Sequence, residues 1–420
     1  MSISRRDVLR GILGGAALAG CGTPAATDDG EDTDVALPDV ALDKKPWVTI
    51  VSPTSMRLRF ETLADVEVGV WLSGPDGRAR AFTPARDAAE LVYENPTLSD
   101  TIPADVPGLH VRHEVILDGL VPGETYAWRV PTLSETHEGA FRCPPAPDAP
   151  VRLGWMADSM WPNTDATLAV LSAQSPDVVM HGGDLQYSSN PSDTWAGFFA
   201  SLVPVTSLAP LQVAIGNHEL EKETELLEMF ERLFGDQGDS GPGYTHAFRA
   251  GSALVLMLDS ETFSLSDDTS EQYAWLDAQL AAADADDTVK GVILGWHRPL
   301  FTFSEHYHPD RVDEDVMLPH LLGHKVRLIL GGHSHSYEHF QLYGMDWVVD
   351  GAAGALLYNV DFKLPDATVA RPDVVAARKF AEAEFGCTTV DVAPDGSMVV
   401  RRLHASDGAE VYRFEIAAAG

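Results

Sequence analysis

Five short apolar segments, each followed within a few residues by polar side chains, constrain the fold of residues 151–420 more than any other feature. These segments span residues 151–157, 178–180, 211–215, 289–296 and 326–330. Stretches with apolar residues at helical spacing separate them, at residues 167–175, 221–234 and 270–283. Alternating strands and helices predict an α/β layered domain, in which functional groups gather at the strand ends. We therefore expect the five polar endings to converge on one site.

The polar endings carry carboxylate, amide and imidazole groups, in the order Asp158, Gly182-Gly183-Asp184, Gly216-Asn217-His218-Glu219, His297 and Gly332-His333-Ser334-His335. The second ending continues into a Gly-Asp-x-x-Tyr element, Gly183-Asp184-Leu185-Gln186-Tyr187. With motifs in this order, the chain resembles the calcineurin-like metallophosphoesterases. The Gly-Asp-x-x-Tyr element and the β-rich segment that precedes the motifs are similar to those of the purple acid phosphatases within that family. The similarity covers roughly residues 46–420.

The resemblance implies a centre of two metal ions. One metal ion would be held by Asp158, Tyr187 and His335, the other by Asn217, His297 and His333, and Asp184 would bridge the two. Two metal ions about 3.5 Å apart require a shared carboxylate together with further oxygen and imidazole ligands. In an extended segment, His333 and His335 project to the same face, so both can reach one centre.

The chain departs from the family pattern at two places. Its first motif lacks the histidine that many family members have two residues after the aspartate, since Met160 stands there. This absence favours the tyrosine-ligated subtype, in which Tyr187 fills the vacant place, and a phenolate ligand favours Fe(III) at that metal. We expect a divalent ion, Zn, Fe or Mn, as the second metal. His339 stands where the family has an arginine, which questions one interaction around the ligands.

Histidines near the ligands are candidates for acid–base catalysis. His218 follows Asn217 directly, and the family places the histidine of this motif near the departing oxygen. Either His306 or His308, nine and eleven residues after His297, could face the substrate from a loop over the site. We expect Glu219 and Arg298 to support the ligands rather than to react, and they complete the candidate site.

The implied reaction is hydrolysis of a phosphate monoester, an acid phosphatase activity, by in-line attack of a metal-bound hydroxide, with His218 protonating the leaving oxygen. The expected substrate is a small phosphate ester. Two alternatives stay open: a phosphodiesterase on the same scaffold, and a non-catalytic envelope protein whose β-rich segment binds a partner. The oligomeric state is open as well.

The N-terminal residues resemble a bacterial twin-arginine signal that ends in a lipobox. Arg5-Arg6 precedes an apolar stretch at 11–19, and Cys21 would be lipidated after removal of residues 1–20. This apolar stretch is too short to span a bilayer, which takes about 20 residues. We expect residues 21–45 to form an acidic, disordered linker and the protein to be exported to the cell envelope, with membrane contact only through its lipid anchor.

Residues 46–145 are expected to form a small all-β sandwich, because short β-rich runs alternate there with Gly, Pro and Asp turn signals. The runs span residues 47–51, 56–61, 66–72, 113–117, 125–130 and 139–142. The segment 120–130, with Tyr126 as a corner tyrosine, resembles the late strands of a fibronectin type III domain. A Pro-rich stretch at 143–150 ends this module, so a two-sheet α/β sandwich at 151–420 follows a fibronectin type III-like β domain.

Composition excludes some classes of function. With 29 Lys and Arg against 63 Asp and Glu, the net charge of -34 argues against nucleic-acid binding through a basic patch. An anionic substrate would need a local positive centre such as a metal ion. The three cysteines are too few for a disulfide framework, and Cys143 and Cys387 could pair or remain free thiols.

Overall fold

The computed structural model describes residues 2–3, 35–91, 108–185, 187, 195–221, 225–306, 309, 311–360 and 371–418. The predicted twin-arginine pair, the lipidation site Cys21 and His308 lie outside these residues. Strand β1 (Ser2–Ile3) pairs antiparallel with β2 (Val35–Ala36). Among the described helices, none combines the length and the apolar character that crossing a membrane requires.

Two four-stranded antiparallel sheets follow. Their strands are β3 (Trp47–Ser52), β4 (Ser55–Thr62), β5 (Val70–Ser73), β6 (Ala79–Phe82), β7 (Ala85–Leu91), β8 (Gly108–Leu117), β9 (Thr125–Pro131) and β10 (Thr136–Arg142). One sheet has the order β3-β4-β8-β7 and the other β10-β9-β5-β6. Side chains from both sheets, such as Leu58 and Trp128, share one apolar cluster. The hydroxyl of Tyr126 accepts a hydrogen bond from the backbone N–H of Val121 at 3.0 Å.

Residues 37–45 differ from the predicted disordered linker, because they pack against these sheets. Leu37 contacts Trp71, and Leu42 is buried in the apolar cluster. The Lys44 ammonium is buried and pairs with Glu61 at 2.8 Å. Alternating apolar residues and one internal ion pair therefore hold a segment whose composition alone predicts disorder.

A second pair of sheets and six described helices form the rest of the chain. The strands are β11 (Val151–Met156), β12 (Val178–His181), β13 (Leu211–Val213), β14 (Asp239–Ser240), β15 (His246–Ala250), β16 (Ala253–Met257), β17 (Gly291–Trp296), β18 (Val326–Gly331), β19 (Tyr337–Leu342), β20 (Met345–Asp350), β21 (Arg378–Glu382), β22 (Gly386–Val392), β23 (Met398–His404) and β24 (Glu410–Ile416). The helices are α1 (Thr164–Ala173), α2 (Trp195–Thr206), α3 (Glu225–Phe234), α4 (Glu271–Ala285), α5 (Arg311–Leu321) and α6 (Pro372–Ala377), with a 3₁₀ turn at Asn217–Leu220.

The two sheets are mixed, and they form a sandwich. One has six strands in the order β13-β12-β11-β22-β23-β24, and the other has eight in the order β14-β15-β16-β17-β18-β20-β19-β21. Apolar side chains from both, including Leu153 and Leu330, form the layer between them. Helices α1 to α3 pack on the six-stranded sheet, and α4 and α5 on the eight-stranded sheet. The predicted α/β arrangement of two sheets is therefore confirmed.

The parallel strands bring the predicted ligands to one edge. Strands β11, β12 and β13 are parallel neighbours in the six-stranded sheet, and β17 and β18 are parallel neighbours in the eight-stranded sheet. Each of these strands ends shortly before one of the polar endings, for example β17 directly before His297 and β18 two residues before His333. Their carboxyl ends meet because both sheets belong to one sandwich.

The N-terminal sheets pack against helices α2 and α3. The buried Trp47 ring lies 4.3 Å from the ring of Phe199, and the Gln212 side chain accepts a hydrogen bond from the backbone N–H of Ile50 at 2.8 Å. Arg232 of α3 also pairs with the buried Glu61 at 2.7 Å. The N-terminal module therefore covers one side of the α/β sandwich.

Candidate metal centre

One group of predicted ligands surrounds the Tyr187 hydroxyl. This hydroxyl donates toward Asp158 Oδ1 at 3.1 Å and Asp184 Oδ2 at 3.2 Å, and it lies 2.8 Å from His335 Nε2. His335 Nε2 is in turn 3.3 Å from Asp158 Oδ1. All four side chains are buried. Asp158, Asp184 and His335 each offer one atom to a group that is compact enough to hold a metal ion.

A second group surrounds His297 Nε2. This nitrogen lies 3.1 Å from Asn217 Oδ1, 3.1 Å from His333 Nδ1 and 3.3 Å from Asp184 Oδ2. Asp184, His297 and His333 form another group of metal-holding compactness. Asp184 is thus the one residue common to both groups, and this is the position that the resemblance predicts for the bridging ligand.

The orientation of the imidazoles fits metal ligation. His297 Nδ1 donates to the carbonyl of Gly182 at 2.8 Å, and His335 Nδ1 donates to the carbonyl of Leu356 at 2.7 Å. In both rings the donating Nδ1 leaves Nε2 to face the other ligands. Two carboxylates, a phenol, an amide oxygen and three imidazoles therefore converge, and this donor set suits a pair of metal ions.

The electrostatics of the centre also call for added positive charge. Burial raises the pKa of Asp158. Burial and the neighbouring Asp158 and Asp184 carboxylates raise the pKa of the Tyr187 phenol well above its ordinary value. Burial lowers the pKa of His297, but Asp184 and Asp158 outweigh it and raise the value to about 10. A proton on His297 therefore stands in for a cation among these carboxylates.

The backbone at the centre is strained. Asp158, Asp184 and His333 have φ values of 63°, 54° and 64°, in the left-handed region that non-glycine residues rarely adopt. Each such conformation costs on the order of 1–3 kcal/mol. Gly216 has no room for a side chain, because a Cβ added there would lie 2.3 Å from Asp184 Oδ1. The chain accepts these conformations where they aim ligands at one point.

His218 lies beside the bridging carboxylate and not among the ligand groups. Its Nε2 is 3.7 Å from Asp184 Oδ2, and its Nδ1 is 2.8 Å from Glu221 Oε1. Its ring packs on Tyr187, with ring centroids 4.1 Å apart. Burial lowers the pKa of His218, but the carboxylates of Glu221 and Asp184 outweigh it and raise that pKa. Both carboxylates therefore favour the protonated form of the ring, which is the form that a general acid requires.

The other predicted site residues have supporting contacts. Glu219 is buried and accepts hydrogen bonds from the backbone N–H groups of Asp184 at 3.0 Å and Gly216 at 2.8 Å, which joins two ligand loops. Arg298 pairs with Glu261 at 3.0 Å and lies 3.2 Å from His333 Nε2. His306 is exposed, and its ring stacks on Tyr358 at 4.6 Å.

The structure also shows the surroundings of His339 and the state of Cys143 and Cys387, both of which the sequence left open. His339, at the position of the family arginine, lies away from the ligands and bonds Asp346 and the Tyr412 hydroxyl, each at 2.9 Å. It therefore links three strands, β19, β20 and β24, across the two sheets of the sandwich instead of supporting a metal ligand. Cys143 and Cys387 are both buried free thiols, so the alternative in which they pair is not observed.

Three residues near the centre were not among those predicted from the sequence. Glu221 lies three residues after His218, a spacing that brings side chains together in a helical turn, so its pairing was available from the sequence. Glu261 and Tyr358 have no such signal. They reach Arg298 and His335 only through the packing of distant loops.

A second group of metal-holding compactness lies in the N-terminal module, at Asp43, Glu61 and His110. The Lys44 ammonium already lies 3.0 Å from Asp43, 2.8 Å from Glu61 and 3.4 Å from His110. A side-chain cation therefore takes the place that a metal would need there.

Comparisons with known proteins agree with this geometry. Residues 133–337 match the model of the calcineurin-like phosphoesterase family. Probable purple acid phosphatase 20 of Arabidopsis thaliana is 26% identical over 310 residues, which cover 70% of this chain and 68% of that protein. Purple acid phosphatase 15 of the same plant is 28% identical over 270 residues, 54% of this chain and 49% of that protein. The chain thus spans about half to two thirds of the length of these relatives.

A solved structure shows the same fold. The purple acid phosphatase PPD1 from yellow lupin (Lupinus luteus) seeds superposes with a TM-score of 0.70 at 17% identity, covering 89% of this chain and 74% of that one. Purple acid phosphatases use a dinuclear metal centre, which the two ligand groups around Asp184 match. The comparisons confirm the resemblance first indicated by the motifs: residues 133–337 match the calcineurin-like phosphoesterases, and the chain is similar to the purple acid phosphatases, which are hydrolases.

Proposed function

We propose that the protein hydrolyses small phosphate monoesters at a centre of two metal ions. The observation that carries this proposal is the position of Asp184, whose Oδ2 lies 3.2 Å from the Tyr187 hydroxyl in one ligand group and 3.3 Å from His297 Nε2 in the other. A shared carboxylate is what a metal pair about 3.5 Å apart requires. The names of the similar proteins support the same activity.

The chain's own residues bind the metal ions, orient the ligands and protonate the leaving oxygen. The chemistry that two bound metal ions supply is charge neutralisation at the phosphoryl oxygens and a lowered pKa of water. Asp158, Tyr187 and His335 would hold one ion, and Asn217, His297 and His333 the other. Glu219 fixes the loops that carry these groups, so the ligands need little rearrangement.

His218 delivers the proton to the leaving oxygen. Glu221 lies against Nδ1 and leaves Nε2 to face the centre, and the side chain is 22% exposed, so a substrate can reach it. The carboxylates of Glu221 and Asp184, which raise the pKa of His218, favour the protonated form of this donor. His306, on the loop after His297, is the second candidate to contact the ester, and His308 is its alternative.

We propose Fe(III) at the tyrosine-containing group and a divalent ion, Zn, Fe or Mn, at the other. The buried phenol of Tyr187 ionises only with help, because burial and two carboxylates raise its pKa, and a trivalent cation gives the strongest help. The purified protein should then show a visible phenolate-to-metal charge-transfer band that Tyr187→Phe abolishes. A colourless, fully active protein that contains only zinc would refute the iron assignment.

We propose further that the chain is an envelope lipoprotein with a fibronectin type III-like module. The envelope proposal rests on Arg5-Arg6 and Cys21. The module assignment is supported by the Tyr126 hydroxyl that accepts from Val121, a contact typical of a tyrosine corner. Cys21→Ser should release the protein from the membrane fraction, and unchanged fractionation would contradict the anchor.

The deciding experiment measures metal content and ester preference together. We expect two metal ions per chain and faster hydrolysis of 4-nitrophenyl phosphate than of bis(4-nitrophenyl) phosphate. Asp184→Asn provides the matched inactive control, since it keeps the shape of the side chain and removes its charge. A fully loaded protein that prefers the diester would indicate the phosphodiesterase, and one that hydrolyses neither ester would indicate a non-catalytic role.

A further inference from the structure

Leu356 is an unusually exposed apolar residue beside the metal centre. Its side chain is 75% exposed, whereas no other large apolar side chain in the described residues exceeds 52%. Single exposed leucines need no explanation on a protein surface, but this one has a special position. Its carbonyl accepts the hydrogen bond from Nδ1 of His335, so Leu356 belongs to the segment that orients a predicted metal ligand.

Three stacked rings lie next to it. Tyr358 stacks on His335 with ring centroids 4.1 Å apart and an interplanar angle of 13°, and on His306 at 4.6 Å and 29°. The backbone N–H of Tyr358 donates to the carbonyl of His335 at 2.8 Å. The ring stack, His335, Tyr358 and His306, thus runs from a predicted ligand to an exposed imidazole.

Two loops that carry this surface are held together. The backbone of Glu305 donates to the carbonyl of Asn359 at 3.0 Å, and the Asn359 N–H donates to Glu305 Oε1 at 3.0 Å. The buried Glu338 accepts from the backbone N–H of Phe303 at 2.9 Å, and Arg378 donates to the carbonyl of Val360 at 3.0 Å. The surface is therefore preorganised.

We propose that Leu356 and the two rings of the stack beyond His335, Tyr358 and His306, bind the organic group of the substrate, and that the protein prefers monoesters of aryl or arylalkyl alcohols. This inference rests on the proposed phosphatase function. With the phosphoryl group at the ligands, the ester group must extend past the residues that flank them. An apolar side chain and rings favour an apolar group there, and the net charge of -34 disfavours polyanionic substrates.

The test compares esters whose leaving groups have similar basicity. Benzyl phosphate and methyl phosphate both release a simple alkoxide, so a difference in kcat/KM reports how the organic group is bound. We expect the wild type to prefer benzyl phosphate. Leu356→Ser should lower kcat/KM for benzyl phosphate about 10-fold more than for methyl phosphate, since lost apolar contact in a substrate site is worth about 10-fold or more. Val121→Ser, an exposed change in the N-terminal module, is the matched control and should alter neither value.

Binding of non-hydrolysable analogues gives a second readout. Calorimetric titration should show that benzylphosphonate binds more tightly than methylphosphonate, and that Leu356→Ser removes most of that difference. If Leu356→Ser affects both esters equally, or neither, the subsite is refuted while the hydrolysis of both esters upholds the phosphatase function. If the metal-loaded wild type hydrolyses neither ester, the phosphatase function is refuted, and the subsite then stands or falls on whether the phosphonates differ in affinity.

Discussion

A buried ion network lies where the N-terminal module meets helix α3, and it comprises Asp43, Lys44, Glu61, His110 and Arg232. The metal centre and this ion network contain the same types of acidic side chain and histidine but neutralise their carboxylates differently. Both regions gather buried carboxylates and histidines closely enough to hold a metal ion. In the ion network, Lys44 lies 2.8 Å from Glu61 Oε2, and Arg232 lies 2.7 Å from Glu61 Oε1. Permanent cations of the chain therefore neutralise the buried carboxylate.

In the part of the metal centre that the structure describes, the ion pairs of the two buried aspartates involve histidines only. Asp158 pairs with His335 at 3.3 Å, and Asp184 pairs with His297 at 3.3 Å and His218 at 3.7 Å. A buried carboxylate is costly unless it is paired, and a histidine is a cation only when it is protonated. Ligand types alone thus do not identify a metal site, and the source of positive charge separates the two regions.

The pKa of Asp158 follows this difference, whereas that of Asp184 does not, because His297 and His218 outweigh its burial and hold its pKa well below its usual range. Burial raises the pKa of Glu61, but His110, Lys44 and Arg232 outweigh it and hold that pKa well below its usual range. Burial raises the pKa of Asp158, and its neighbours do not reverse the shift. The chain's own cations therefore compensate the Glu61 carboxylate of the ion network, whereas the Asp158 carboxylate of the metal centre remains under-compensated.

The largest expected effect comes from removing one charge in the metal centre. Asp184→Asn should lose both metal ions and lower kcat/KM by about 10³-fold or more, because the metals supply several kcal/mol of transition-state stabilisation. Asp43→Asn is the matched change in the ion network and should keep the metal content and most of the activity. Metal analysis and ester hydrolysis of both variants check this. Metal loss in the Asp43 variant would break the distinction between the two regions.

Within the centre, His218→Ala separates a proton donor from the ligands. It should keep both metals and lose about 10²–10⁴ in rate on alkyl phosphates, the usual size of general-acid assistance. The loss should shrink for 4-nitrophenyl phosphate, because nitrophenolate leaves without protonation. Rates across a series of leaving groups check this prediction. Equal losses on all esters would exclude His218 as the donor and favour His306 or His308.

In the ion network, the expected effect is on stability. Glu61→Gln should lower the free energy of unfolding by about 3–5 kcal/mol, since it leaves the buried Lys44 and Arg232 without their shared carboxylate. Metal content should not change. Glu415→Gln, which breaks an exposed pair with Arg413, should cost at most about 1 kcal/mol. Chemical denaturation followed by fluorescence measures both. A metal loss in Glu61→Gln, or equal costs for the two variants, would contradict the role assigned to the network.

Much of the centre was predictable because the motifs lie at strand ends. Asp158, Asp184, Asn217, His297 and His333 follow parallel strands, and parallel strands align their carboxyl ends. The surroundings were not predictable. Contacts such as Tyr358 with His335 depend on how separate loops pack, which spacing along one chain does not encode.

The fold likewise contains features that the sequence predicts and features that it does not. Strand β22 pairs antiparallel with β11 and so extends the six-stranded sheet, a pairing between distant segments that the sequence pattern does not indicate. Strands β6 and β7 were missed because their sequences, ARAF and ARDAAEL, are rich in Ala, Arg and acidic residues, which are poor β-formers. Residues 37–45 were assigned to the linker because sequence composition does not show the buried partner of Lys44.

His113 shows a third way to bury an imidazole, which is to keep the ring uncharged. The effect predicted for it, on the free energy of unfolding, is the smallest of the series. Its ring stacks on Phe60 at 4.5 Å, and its Nε2 lies 2.9 Å from the Thr62 hydroxyl. Burial and the positive charge of Arg86 lower its pKa to about 4.

The histidine of the unfolded chain has a pKa of about 6.5, so on acidification the unfolded chain binds a proton before the folded chain does. The stability of the folded protein therefore falls as the pH decreases from about 6.5 to 4. At pH 5 the loss should be about 2 kcal/mol. His113→Gln keeps a polar group near Thr62 and does not titrate, so its stability gap to the wild type should narrow by that amount between pH 7 and pH 5. If the free energies of unfolding of the two proteins change in parallel between pH 7 and pH 5, His113 is not held neutral by burial.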